Sequence, residues 1–220
     1  MKTTYRVNDG TIAVKPHEAA FIEAGADRII AAYNAAAPQV RAYGLTWYTG
    51  QYAALAQKVA RETGVTFEQA AAFIAVCSPQ TPWSAQVEHT AAAVRHLLNG
   101  GSVETAPPCS LYRANIEKGR RVVIEGDFSA VAGPKVGMFY RNCIGDHSVV
   151  TVDVWAIRVV VGRNAKIDPW TKGRKHALIC AAYHLAAGRL GLPVAHVQAV
   201  AWVVERDGGK GRHKAKAKAA

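Results

Sequence analysis

Lys135 and Asp153 stand eighteen positions apart, the first in Ala132-Gly133-Pro134-Lys135-Val136-Gly137 and the second in Val150-Thr151-Val152-Asp153-Val154-Trp155. Each opens a candidate amphipathic helix, so convergence of the two helix starts on one cleft would set a primary amine against a carboxylate. Such a pair can cut a glycosidic bond: the amine attacks the sugar carbon, and the carboxylate stabilises the positive charge that develops as the base departs. Read alone, Lys135 is an ordinary solvated lysine. Asp153 is less ordinary, because Val149, Val150 and Val152 precede it and Val154, Ile157 and Val160 follow. A carboxylate in an apolar run is the N-cap of the next helix, a functional acid, or both.

The elements that must position these groups are helical. Alanine is abundant, β-branched alternation is rare, and apolar residues recur at three- and four-residue intervals, which predicts an all-α chain. Helices are expected over residues 17–36, 49–62, 84–98, 134–142, 153–161, 171–189 and 193–204. Thr66-Phe67-Glu68-Gln69 has the capping-box form and opens an apolar helix. The run Ser78-Pro79-Gln80-Thr81-Pro82-Trp83 breaks that helix, since proline lacks an amide donor. Gly100-Gly101 and Pro107-Pro108 bound a loop, after which Ser110 can cap a helix reaching residue 124. Ser148 to Val152 reads as a short extended segment and Gln198 to Trp202 as packing.

Of the 220 residues half are apolar, enough for a substantial core. Four cysteines lie more than thirty positions apart and read as reduced, mostly buried thiols of a cytoplasmic protein. No metal-ligand spacing links them to the histidines, so no metal is expected. No apolar run is long enough to span a bilayer, and no membrane partner is expected. The formal charge of +11 favours an anionic partner such as nucleic acid, the bland alternative being a basic ribosome-associated or merely soluble protein. Five of the positive charges fall in the last eleven residues, a tail over 208–220 expected to be disordered. The body without it keeps about half the net charge.

Gly133, Lys135, Asp153 and Arg158 together resemble the signature of the helix-hairpin-helix DNA glycosylase superfamily, which includes endonuclease III and the 8-oxoguanine glycosylases. The separation of Lys135 and Asp153 is similar to the endonuclease III type. Phe73 to Thr81 resembles the family's apolar helix ending in a Ser-x-Gln motif, here Ser78-Pro79-Gln80-Thr81, and Gln80 then matches the glutamine that enters the space left by the extruded base. The matching stretches span roughly residues 66–162. Two departures stand out. Val131 occupies the place of the first of the two hairpin glycines, and Trp155 stands where the family commonly has histidine. The terminal four-cysteine motif is absent, so no iron–sulfur cluster or other cofactor is expected.

The resemblance implies a two-lobed helical fold, with residues 1–44 plus 151–207 in one lobe, 45–150 in the other, and a cleft between them. It implies a monomeric DNA glycosylase with lyase activity, acting on double-stranded DNA whose modified base is flipped out. Lys135 would then be the Schiff-base nucleophile and Asp153 the acid. Gly133, Lys118, Arg120, Arg121 and Arg141 are candidate phosphate contacts, and Trp47, Tyr48, Trp83 and Trp155 candidate stacking partners for the base. The shortened motifs are similar to those of small phage or mobile-element relatives. Two other functions stay open: an amine transferase acting on a modified thymine in hypermodified DNA, and a DNA-binding module without catalysis.

Overall fold

The structure, a computed structural model, describes residues 3–105 and 111–207. Along the chain, β1 (Thr3–Val7) and β2 (Gly10–Val14) form an antiparallel hairpin. Then come α1 (Pro16–Ala35), α2 (Pro38–Leu45), a π-helical turn Trp47–Tyr52, α3 (Ala53–Thr63), α4 (Phe67–Cys77) and α5 (Trp83–Leu98). The remaining helices are α6 (Arg113–Glu125), α7 (Val136–Cys143), α8 (Val154–Val161), α9 (Gly173–Leu190) and α10 (Val194–Asp207). The chain is all-α but for the one hairpin among the described residues.

It divides into two compact units, one of the described residues through Trp47 with those from His147 onward, the other of the described residues of Tyr48–Asp146. In the first unit α9 is the core helix. Residues Leu178 to Tyr183, Ala186 and Ala187 are buried in a cluster with Ile22, Ala26 and Ile29 of α1, Ile157 and Val160 of α8, and Val194, Val197 and Ala201 of α10. Small residues let these helices approach closely. A β-carbon on Gly44 of α2 would lie 2.7 Å from the Val200 Cα of α10, a backbone atom that cannot rotate away. The carboxylate of Glu18 closes the first turn of α1 by accepting from the Lys15 amide at 2.8 Å, and it is clamped by Arg174 of α9 at 2.6 Å.

In the second unit α4 is the core helix, buried from Ala70 to Cys77 and packed by α3, α5, α6 and α7. Its N-terminus is the capping box expected from Thr66: the Thr66 Oγ1 accepts from the Gln69 amide at 3.1 Å and the Gln69 Oε1 accepts from the Thr66 amide at 3.0 Å. The Tyr52 hydroxyl donates to the Ala71 carbonyl at 2.6 Å, satisfying a polar group that is fully buried. Gly119 lets α6 close on the Phe73 ring, which a β-carbon there would meet at 2.5 Å.

Several sequence expectations need correction. Pro38 does not merely end the first helix but opens α2 in its first turn, where a missing amide costs nothing. Residues 148–152 have no strand partner among the described residues; they form an irregular segment. The helix carrying Lys135 begins at Val136 rather than at Pro134, and α9 continues through Gly188 to a left-handed cap at Gly191. Ser110, Cys109, the Pro107-Pro108 pair and the tail lie outside the described residues. Cys77, Cys143 and Cys180 are buried free thiols, and burial pushes the Cys180 thiol up to about 12.

Gly44→Ala should lower stability by about 1–3 kcal/mol through overpacking against α10, read as a reduced denaturant midpoint at unchanged slope. The Arg174 hydrogen bonds, with the Lys15 amide second, hold the Glu18 carboxyl down at about 2 against an ordinary 4.5. A depressed folded-state value gives stabilisation that is present above pH 4.5 and lost as pH falls through 2. Unfolding midpoints should therefore decline across that window, and Arg174→Ala should flatten the decline; an unchanged slope with pH would count against the pair.

Candidate active-site residues

Asp153 sits at the N-cap of α8, in extended backbone at φ −104° and ψ −175°. The segment leading to it is buried at Val149, Val150 and Val152, so its backbone needs partners inside the protein. Asn8, in the hairpin turn, supplies those of Val150: its Nδ2 donates to the Val150 carbonyl at 3.0 Å and its Oδ1 accepts from the Val150 amide at 2.8 Å. His184 of α9 lies 3.3 Å from the same Oδ1. Burial, and Arg6 after it, hold the His184 pKa down at about 4. The imidazole is therefore neutral near pH 7 and can donate from Nε2 to the Asn8 oxygen.

Both oxygens of Asp153 are engaged. Oδ1 accepts from the Trp155 amide at 3.0 Å and the Ala156 amide at 2.8 Å, and Oδ2 accepts from the Trp202 indole N–H of α10 at 3.0 Å. Capping explains the first pair. The third bond is not needed to start a helix, and it restrains the carboxylate in one orientation. Trp202 is thus the partner of a candidate site residue, although its sequence context presented it as packing. An indole N–H in an apolar helix must find an acceptor, but only the fold shows which one. The Trp202 ring is also covered by the Arg206 guanidinium at 4.1 Å and packs against Trp47 at 5.1 Å between centroids.

Lys135 belongs to the other unit. It is half-buried at the N-cap of α7, follows Gly133 at φ +115°, and has no carboxylate partner among the described residues. Nothing crowds a β-carbon at Gly133, so the positive φ alone favours glycine there. Four residues beyond Lys135, Phe139 packs edge-on to Tyr52 at 4.9 Å and to Tyr48 at 6.1 Å, while Trp83 stacks on Tyr52 at 5.9 Å. This aromatic cluster fixes the face of α7.

The other candidates separate by environment. Trp47 and Tyr48 are 5% and 3% exposed, whereas Trp83 and Trp155 are half-buried, the latter beneath the Arg158 guanidinium at 4.7 Å. Gln80 is exposed and has φ +61°, the one positive φ outside glycine among the described residues. That conformation is sparsely populated for a residue with a β-carbon, and such strain concentrates at functional positions. Among the cations, Arg120 is paired with Glu117 and Glu125, Arg121 with Asp127, and Arg141 with Asp146. Lys118 is exposed and has no carboxylate partner among the described residues. No cluster of three or more histidine, cysteine or carboxylate side chains that could hold a metal occurs among the described residues.

The family described as a family of unknown function, DUF7178, matches residues 12–209. No curated protein and no solved structure matches the chain.

Asparagine caps a helix as well as aspartate does, but in Asp153→Asn the amide nitrogen would face the Trp202 N–H. A double-mutant cycle of Asp153→Asn with Trp202→Phe should return a coupling of about 1.5–3 kcal/mol, the range for hydrogen bonds to charged groups. Strict additivity would mean that the indole contributes nothing to holding the carboxylate.

Proposed function

The chain belongs to the DUF7178 family of unknown function, and from its own residues we propose that it is a DNA glycosylase of the helix-hairpin-helix kind, with lyase activity on a damaged or modified base. The observation that carries the reading is Asp153: a carboxylate at a helix start, restrained by three N–H donors on two helices. A carboxylate held by fixed donors can offset the charge of a sugar cation without reorganising as the charge develops.

The target nucleotide leaves the stack, because its glycosidic carbon is shielded in a duplex. The Lys135 amine then attacks C1′ as the C1′–N bond breaks, and the base leaves with the bonding electrons and takes up a proton. The sugar ring opens to give a Schiff base on Lys135. Loss of a C2′ proton with departure of the 3′ phosphate breaks the strand, and water releases the amine. Asp153 offsets the positive charge at the sugar during the first step and assists deprotonation of the attacking amine. Gln80 enters the gap in the duplex, and its exposed, left-handed backbone suits a wedge projecting from a turn. Trp83 and Trp155, both half-buried, are the candidate indoles to stack on the base. In this reading Lys135 is the nucleophile and Asp153 the acid of a two-lobed, monomeric enzyme working in the cytoplasm.

Borohydride reduction during incubation with duplexes carrying abasic sites or a panel of modified bases should trap a covalent protein–DNA adduct. Lys135→Ala should abolish it. Asp153→Asn should slow base release by about a hundredfold or more. If no duplex is trapped or cut, the lyase assignment fails. A mass increase on intact modified DNA supplied with an amine would mark a transferase instead, and binding without any product would mark a non-catalytic module.

A further inference from the structure

We propose that the connection between α8 and α9 together with the first residues of α9, residues 162–175, is a docking surface for the phosphate backbone of duplex DNA. This goes beyond the chemistry proposed above and rests on it only for the nature of the partner. The segment carries Arg163, Lys166, Lys172, Arg174 and Lys175 against one acid, Asp168. Arg163 is committed to Glu205 and Arg174 to Glu18. Lys166, Lys172 and Lys175 are exposed and have no carboxylate partner among the described residues. They contrast with the expected phosphate contacts Arg120, Arg121 and Arg141, whose charge is already matched by neighbouring carboxylates. Breaking those pairs to reach a phosphate would forfeit an existing ion pair; the three lysines have no ion pair to lose among the described residues.

The connection is held in place rather than merely basic. Ile167 and Trp170 pack on the core of the first unit, and the Trp170 ring lies nearly parallel to Phe21 of α1, 5.0 Å between centroids with 13° between planes. The Trp170 amide donates to the Ile167 carbonyl at 2.8 Å, and the Thr171 hydroxyl donates to the Asp168 carbonyl at 2.8 Å. Lys175 lies over the Trp170 ring at 5.2 Å. Anchoring by apolar side chains keeps the three exposed lysines on a fixed scaffold, which lowers the ordering cost of binding. Ammonium groups are point charges without the fork that reads base edges, so this surface fits backbone phosphates and adds affinity without sequence preference.

The test is a salt titration of a short fluorescent duplex by anisotropy, using the full chain and a Lys166→Ala/Lys172→Ala/Lys175→Ala variant whose unfolding midpoint is checked in parallel. Each phosphate contact contributes a slope of about 0.9 in log affinity against log salt concentration. The triple variant should therefore give a slope shallower by about 2.7, while retaining the contribution of the basic tail. Single Lys→Gln variants, which keep the side-chain length, should each remove about one third of that change and serve if the triple variant unfolds. A slope changed by less than one unit overturns this surface and leaves the glycosylase reading standing. Absence of any duplex binding by the wild-type chain at low salt overturns both. The expected slope change together with no borohydride adduct from the wild-type chain would count against the chemistry of Lys135 and leave this surface standing.

Discussion

A buried stretch of backbone that is neither helix nor strand must still satisfy its amides and carbonyls, and in this protein the demand falls on the residues just before α8. Asn8 answers it. Its carboxamide offers one donor and one acceptor in the geometry of a peptide group, so it pairs with both polar groups of Val150 as a neighbouring strand would. The hairpin places Asn8 there, the neutral His184 steadies its oxygen, and the course of the chain into Asp153 follows. Leaving either Val150 group unpaired would cost on the order of 1–3 kcal/mol, enough to matter for a marginally stable fold.

The same economy of partners shapes Asp153. Its two bonds to α8 amides serve the helix, and its bond to Trp202 ties the start of α8 to α10. Capping of α8 and the tie between α8 and α10 thus use one side chain. Three arginines of the second unit show the opposite outcome, with Arg120, Arg121 and Arg141 absorbed into short-range ion pairs beside their own helices. Exposed pairs of this kind contribute little to stability, but they reduce the field available to an outside anion.

How legible each feature was depends on the range of the forces behind it. The Thr66–Gln69 capping box involves atoms three residues apart and was readable as a pattern. The break before Trp83 followed from proline chemistry, and the stop at Gly64 from its left-handed cap at φ +80°. The hairpin carries a signal of its own, Asn8-Asp9-Gly10 between short alternating runs, but it is brief beside the helical periodicity that dominates the chain. Trp202 looked like packing because its ring does pack; its second role depends on an acceptor forty-nine positions away.

The sequence by itself determined the predominance of helix, most of the helix positions and the placement of a carboxylate at the start of α8, because propensity, capping and proline breaks act within a few residues. Only the tertiary structure decided that Trp202 restrains that carboxylate, that Asn8 stands in for a strand partner, that Gly44 is the contact point of α2 with α10, and which basic residues remain without an ion-pair partner. These are meetings between segments far apart along the chain. They are set by which apolar faces bury one another, and no local pattern of residue types encodes that.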